Sequence, residues 1–399
     1  MTVLSRDLFE SFASSVVDVN EAETLPPVLY TSPEFYAFEK DAIFGHDWLC
    51  VGRVDQVPEP GDWYAFTIVD EPLIVVRDKD GVVRVLSAVC RHRGMVVAEE
   101  GGGNCTKFTC PYHHWSYALD GRLLGAPAME RAIEFDKGEY ALPSLPVEIW
   151  QGFIFTSFDP AAAALAPGLA ELDPLLEHFQ LGTATTIAGK TLPDLPWNWK
   201  VMMENFNDPY HASRLHEPLQ TFAPSGMSDF FDWRDGMGHI SRVQHFTQID
   251  GSFNPTMKCL MPVFPALTEE ERMRGMFCLI PPTLALAIVP DEVAYFIIRP
   301  QDAGTITIDI GYCFDPEALK VPLFDQLFAA AQAGVDNFNV QDVWADTMVQ
   351  RGLRSRFGPR GRYSWQEGTL PQFNRWLVER YRRHWPTGTE EPIVERERD

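Results

Sequence analysis

The sequence predicts an α+β protein of two unlike parts: a small antiparallel β domain, then a larger domain whose antiparallel sheet is packed on one side by a long C-terminal helix. Three observations predict it. Short β-type runs separated by turn dipeptides fill the stretch from Trp48 to about Phe158. A second block of apolar runs lies between Met276 and Tyr312. Two long helical patterns follow, from about Phe324 to Arg351 and from Leu370 to Arg383. Strands and helices grouped in blocks, not alternating, point to an α+β architecture.

The elements follow in chain order. The first forty residues read as a helical or loose lead-in that packs with the larger domain. It ends where Ser32 can cap a helix with Pro33 at its first position. Trp63–Val69, Leu73–Arg77, Val82–Leu86 and Gly152–Thr156 read as strands, punctuated by turns such as Asp80-Gly81 and Asp120-Gly121. The Ala/Pro stretch from Pro160 to Pro167 reads equally as a linker or as a helix start. A helix-like segment spans Trp199 to His216, before the strand-like runs Met276–Ile280, Ala285–Val289, Ala294–Arg299 and Thr305–Tyr312. There is no internal repeat. The chain is thus divided at 1–40, 41–160 and 161–399.

Composition narrows the function. The formal charge of −23 over 399 residues argues against a nucleic-acid binder, which would present clustered Lys and Arg. No run of eighteen or more apolar residues suggests a membrane span. The first twenty residues lack the basic start and apolar stretch of a signal peptide. A cytoplasmic location is expected. Seven cysteines, at 50, 90, 105, 110, 259, 278 and 313, then read as reduced thiols or metal ligands.

Cys90, His92, Cys110 and His113 stand in the small β domain as Cys-x-His, then Cys-x-x-His. Two Cys/His pairs on two loops can close on one metal centre. Zinc would take all four as a tetrahedral site. A two-iron, two-sulfur cluster would put the cysteines on one iron and the histidines on the other, giving a potential of roughly −150 to +300 mV. The flanks, Cys90-Arg-His-Arg-Gly and Cys110-Pro-Tyr-His-His-Trp-Ser-Tyr followed by Asp120-Gly-Arg-Leu, resemble the two loops and following turn of a Rieske domain. The resemblance covers about Trp48 to Phe158 and implies a [2Fe-2S] Rieske cluster. His114 departs from it, standing where such domains often have Gly, and reads as an outward neighbour. Cys105 has no place in the pattern and reads as a buried small residue.

The second constellation begins at Glu204 and runs Glu-Asn-Phe-Asn-Asp-Pro-Tyr-His-Ala-Ser-Arg-Leu-His216. Histidines five apart on an ideal helix point about 140° apart. A bend permitted by Pro209 makes the pair useful. Two imidazoles and one carboxylate on one face of iron leave positions open, the arrangement of non-heme Fe(II) oxygenases. The carboxylate chosen is Asp342, with Asp336 and Asp346 close by on the same helix. This block, with Val349-Gln-Arg-Gly-Leu-Arg-Ser and Gly361-Arg-Tyr-Ser, resembles the catalytic domain of Rieske oxygenase α subunits, a helix-grip (START-like) fold. By that resemblance 41–160 is the Rieske domain and 161–399 the catalytic domain. His211, His216 and Asp342 are then the ligands of a mononuclear Fe(II). Asp208, three residues before His211, fixes its ring and carries the electron path to His113 of an adjacent subunit in a homotrimer. Electrons come from NAD(P)H through a separate reductase or ferredoxin.

Within the family the spacing Glu-Asn-Phe-x-Asp-x-Tyr-His is similar to that of the branch demethylating betaines and related quaternary amines. It departs in reading Asp208-Pro-Tyr-His where that branch commonly has Glu-Cys-Tyr-His. Phe230, Phe231, Trp233, Phe246 and Phe253 offer aromatics for a cation cage, for a benzene-ring pocket, or simply for a core. Arg351, Arg354, Arg356, Arg360 and Arg362 form either a dock for an acidic electron donor or a solvated, internally paired face. The expected activity is hydroxylation with N-demethylation of a methylated ammonium compound. Aromatic hydroxylation or O-demethylation uses the same metal chemistry. A non-catalytic Rieske electron carrier is the rival from another class, and it has no need of an open iron site.

Overall fold

A computed structural model of the chain describes residues 3–386. Residues 1–2 of the lead-in and 387–399 of the C-terminal segment lie outside the described residues. No helix among the described residues is long and apolar enough to cross a membrane.

The N-terminal part of the sheet structure has eleven strands: β1 Leu49–Arg53, β2 Asp62–Ile68, β3 Glu71–Arg77, β4 Val83–Ser87, β5 Gly101–Asn104, β6 Phe108–Thr109, β7 Ser116–Tyr117, β8 Leu123–Gly125, β9 Ser144–Leu145, β10 Val147–Trp150 and β11 Phe153–Thr156. They form three small sheets ordered β5-β2-β3-β4-β9, β6-β7-β8 and β1-β11-β10. Alternation decides the faces. Ile74, Val76 and Leu86 pack with Phe108, Trp115 and Tyr117 in one core, beneath the loops that carry Cys90 and Cys110.

The larger sheet contains β12 Thr185–Leu195, β13 Ser228–Phe230, β14 Ile240–His245, β15 Arg274–Ile280, β16 Leu284–Val289, β17 Glu292–Asp302 and β18 Thr305–Phe314. All pairings are antiparallel, in the order β12-β18-β17-β16-β15-β14-β13. The long helix Phe324–Leu353 and the helix Thr369–His384 complete the fold. Residues 160–165 are turn and irregular chain before a short helix, Ala166–Leu169.

The lead-in is tied to this second part by polar contacts as well as by apolar packing. Ser32 accepts the Phe35 N–H and Pro33 opens the Pro33–Glu39 helix. From that helix Glu39 reaches Lys200, at 2.8 and 2.9 Å, with both side chains fully buried. Arg360 donates to the Ser14 and Ser15 hydroxyls and to the Thr24 carbonyl, and Arg362 to the Asn20 carbonyl. These two members of the arginine group brace the N-terminus internally.

Candidate metal centres and substrate cavity

The loops Cys90–Gly94 and Cys110–His114 are built alike. The Gly94 N–H bonds to the Cys90 carbonyl and the Cys90 N–H to Met95; the His114 N–H bonds to the Cys110 carbonyl and the Cys110 N–H to Trp115. Gly94 and His114 occupy equivalent places, both at positive φ, 76° and 59°. Such a turn favours Gly. His114 holds that place as an exposed residue at the loop tip.

Cys90 and Cys110 are buried, and the half-buried His92 and His113 bring their Nδ1 atoms within 3.1 Å of each other. Two nitrogens so placed can both bond one metal at an ordinary 2.0–2.1 Å or so. His92 stacks on Trp115, rings 4.9 Å apart and 11° from parallel. The Tyr117 hydroxyl lies 3.2 Å from Cys90 Sγ and accepts the Arg91 N–H. Among the described residues, one set of three or more His, Cys, Asp or Glu donors lies mutually within 4.8 Å, and it is not drawn from these four. A single tetrahedral zinc would gather four such donors within about 4 Å of one another. The donor set suits a centre wide enough to separate its cysteine end from its histidine end.

That close set is His211, His216 and Asp342. The helix-like segment from Trp199 to His216 is broken just before Pro209, where a bend is expected, and the break makes the site. Asn198 caps the helix Trp199–Phe206, which stops at Asn207. Asp208 then caps a new short turn, Pro209–Ala212, accepting the N–H groups of Tyr210 and His211, with Pro209 in its first turn. His216 lies beyond that turn, outside helical geometry. The two imidazoles meet edge to face with centroids 5.1 Å apart. Asp342 Oδ1 is 2.9 Å from His216 Nε2 and 3.7 Å from His211 Nε2.

Each imidazole has a partner on its far side. His216 Nδ1 is 2.7 Å from Gln341 Oε1. His211 Nδ1 is 3.2 Å from Asp208 Oδ2, but the approach is off-axis and Nδ1 makes no aligned hydrogen bond. Gln341 was not singled out in the sequence; its place beside Asp342 was the only signal. Of the neighbouring acids, Asp336 turns to Lys190, whereas Asp346 is buried beside the site with Oδ2 unpartnered. Burial, then the Asp342, Glu204 and Asp208 charges, push the Asp346 carboxyl well above the usual carboxylate range. Burial likewise raises Glu204 to about 7, although Tyr30 hydrogen-bonds to it and Lys200 lies near.

A cavity of about 160 Å³ adjoins these residues. The face shared by β14 to β18 forms one wall, because Arg242, Phe277, Ala287 and Ala294 stand side by side in register. Trp197, Phe206, Phe253, Phe277, Phe296 and Phe338 supply its aromatic lining. Of the five aromatics weighed from the sequence, Phe253 alone is among them. Phe246 packs with Phe222 and Phe253 in an adjoining core, and Trp233 is buried with its N–H on the Met237 carbonyl. A single stretch cannot surround a cavity; the lining comes from a helix end, six strands of the large sheet, loops between them and the long helix. Two ionisable groups of the sheet also face it. Burial, then Asp291, raises Glu292 to about 8, and burial lowers Arg242 to about 9.

Residues 47–146 match the family described as "Rieske [2Fe-2S] domain", and residues 183–383 the family described as "Ring hydroxylating alpha subunit (catalytic domain)". The carnitine monooxygenase oxygenase subunit of Acinetobacter pittii is 33% identical over 343 residues, 85% of this chain and 87% of that protein. The glycine betaine monooxygenase oxygenase subunit of Chromohalobacter salexigens is 35% identical over 196 residues, 49% of this chain and 44% of that protein. A solved quaternary ammonium Rieske monooxygenase, described for carnitine oxidation by gut microbiota and inter-subunit electron transfer, aligns with a TM-score of 0.78 at 25% identity. The alignment covers 92% of this chain and 97% of that one.

Proposed function

This chain belongs to the ring-hydroxylating α-subunit family and is a Rieske non-heme iron oxygenase, and from that premise we propose that it N-demethylates a small quaternary ammonium compound. We assign Cys90, His92, Cys110 and His113 to the [2Fe-2S] cluster and His211, His216 and Asp342 to the mononuclear iron. When bound, the iron supplies O₂ activation, with electrons delivered from a reductase through the cluster.

The protein residues do the rest. Gln341 bonds the far side of the His216 ring, and Asp208 stands behind His211 and caps the turn that carries it. Phe206, Phe253, Phe277, Phe296 and Phe338 exclude water and present ring faces that suit a methylated cation. Hydroxylation of an N-methyl group gives an N-hydroxymethyl ammonium. As its C–N bond breaks, nitrogen keeps the electron pair, the hydroxyl loses its proton, and formaldehyde leaves with the demethylated amine.

The observation that carries this reading is the aromatic cavity beside the triad, whose ring faces suit a methylated cation. The full-length similarity to a carnitine monooxygenase subunit agrees with it. The test is O₂ uptake coupled to formaldehyde release with glycine betaine or carnitine and a reductase. The mainly apolar lining favours a second reading, arene hydroxylation; diols from arenes without formaldehyde from any ammonium compound would establish that instead.

The assembly belongs to the same proposal: a ring of three chains in a cytoplasmic enzyme, with Asp208 of one subunit facing the cluster histidine of the next. Exposed aromatic side chains at both places support it. Tyr112 precedes His113, Tyr210 precedes His211, and Trp344 lies two residues beyond Asp342. Such a ring needs a head-to-tail interface that closes.

A further inference from the structure

The cavity contains a buried cation that no carboxylate among the described residues contacts. Arg242 is the third residue of β14 and its side chain lines the cavity, yet it is only 4% exposed. Its guanidinium carbon stands 3.9 Å from the centroid of Phe277, the residue opposite it on β15. Nη1 donates to the amide oxygen of Gln244 at 3.1 Å, while Nε has no partner. Among the described residues no carboxylate comes within ion-pair distance of it. Asp208 acts on it only through space, and burial leaves it charged at neutral pH, with a pKa of about 9.

A bare buried guanidinium is costly. The Phe277 ring face and one amide oxygen offset part of that cost, but neither supplies a negative charge. Its planar fork matches a carboxylate with two parallel hydrogen bonds. Glu292, the unpaired carboxyl on this sheet face, begins β17, three strands away and on the order of 14 Å between backbones, and burial holds its proton up to a pH of about 8. The two do not pair, so Arg242 is left without a counter-charge. A ligand carboxylate supplies one, with the rest of the ligand held among the aromatic rings.

We propose that Arg242 binds a carboxylate carried by the substrate, so that the enzyme takes zwitterions with a methylated ammonium at one end and a carboxylate at the other. The ammonium half of this statement rests on the N-demethylation reading above; the carboxylate half rests on Arg242. Anchoring the end remote from the reacting methyl also fixes which methyl is presented to the iron site, so binding energy is used for orientation.

The test uses the assembled holoenzyme and two probes that differ in the anionic group, glycine betaine and choline. Binding is measured by calorimetry on oxidised protein, and turnover by formaldehyde release with reductase. Arg242→Gln should weaken glycine betaine by on the order of 10- to 100-fold, mostly in KM and Kd, the range for a lost charge-assisted hydrogen-bond pair. Choline should change by less than about threefold on the same scale. Arg242→Lys, which keeps the charge but loses the fork, should fall between. Equal losses on both probes, or a wild-type enzyme indifferent to the carboxylate, would overturn the assignment. Arg242-dependent binding of benzoate, with no formaldehyde from any ammonium compound, would instead remove the N-demethylation reading and leave Arg242 as the carboxylate anchor.

Discussion

Asp208 holds His211 from two sides: one carboxylate oxygen accepts the His211 backbone N–H at 3.3 Å, and the other lies 3.2 Å from Nδ1 of its ring. The same carboxylate therefore starts the turn that carries the histidine and stands behind the ring that would meet the metal. It is a positioning residue first, and an electron path through it is the proposal to test. Asp208→Ala should keep both metals and the oligomer, and its cluster should still be reduced. Substrate oxidation should fall by at least ~100-fold, the upper end of losses on removing an outer partner of a ligand. Asp208→Asn keeps the shape but changes charge and hydrogen-bond polarity. Single-turnover product from pre-reduced protein, with sedimentation for assembly, reads the result; normal turnover in the Ala variant defeats the proposal.

Asp342 faces both imidazoles from the long helix, and no other carboxylate among the described residues joins that set. Asp342→Ala should lower iron from about three to about two per chain while leaving roughly two acid-labile sulfides and the cluster spectrum unchanged. Retained mononuclear iron in this variant would move the third ligand elsewhere.

Gln341 reaches His216 from its far side at 2.7 Å. Gln341→Leu keeps the ligands but removes that support, and should weaken mononuclear iron binding about 10- to 100-fold without altering the cluster. Iron titration of the apo protein, followed by EPR, measures it. Unchanged affinity would show that the helix alone sets the ring.

Glu292 is protonated more tightly in the folded protein, at about 8, than an ordinary carboxyl near 4.5. Burial against the charged form is the main cause, and Asp291 adds to it. Below the unfolded value both states hold the proton and nothing is lost. As pH rises from about 4.5 to about 8 the unfolded chain ionises first, so stability drains away, and above the folded value the loss levels off. Glu292→Gln removes this dependence. The variant's Tm advantage over wild type should grow between about pH 5 and 8 and then stay flat. A constant difference across that window would mean the carboxyl is ionised throughout.

Lys200 and Glu39 form a fully buried ion pair that Tyr381 and Trp199 complete with hydrogen bonds to Glu39. Lys200→Met leaves Glu39 charged and buried, and should cost about 3–5 kcal/mol by chemical denaturation. The double variant Lys200→Met/Glu39→Gln should recover most of that. Equal destabilisation in single and double variants would show that packing, not charge, is at stake.

Local chemistry was legible in the sequence. The two Cys/His loops, Asp342 on a long helix and the Ser32 cap each depend on residues a few positions apart. The runs now seen as β2, β3, β15, β16, β17 and β18 stood out because buried strands are nearly continuous in apolar residues. Strand β12 did not, for a physical reason. It lies at the sheet edge, has a single buried residue, and contains Gly189, Lys190 and Pro193, which suit an edge and mask strand periodicity. Pro209 signalled a bend between Trp199 and His216 but not its place: the helix stops at Asn207, because the Asp208 cap competes with continued helix. Register and packing alone decided the cavity. Arg242, Phe277 and Glu292 stand on three strands, Gln341 and Phe338 on a helix far along the chain from Arg242, and nothing local in the chain announces that they converge. The sequence by itself determined which groups are candidates for the metal chemistry, because those must be particular residue types at particular spacings. The tertiary structure decided which polar groups and rings line the cavity beside them, because that depends on strand register and long-range contact.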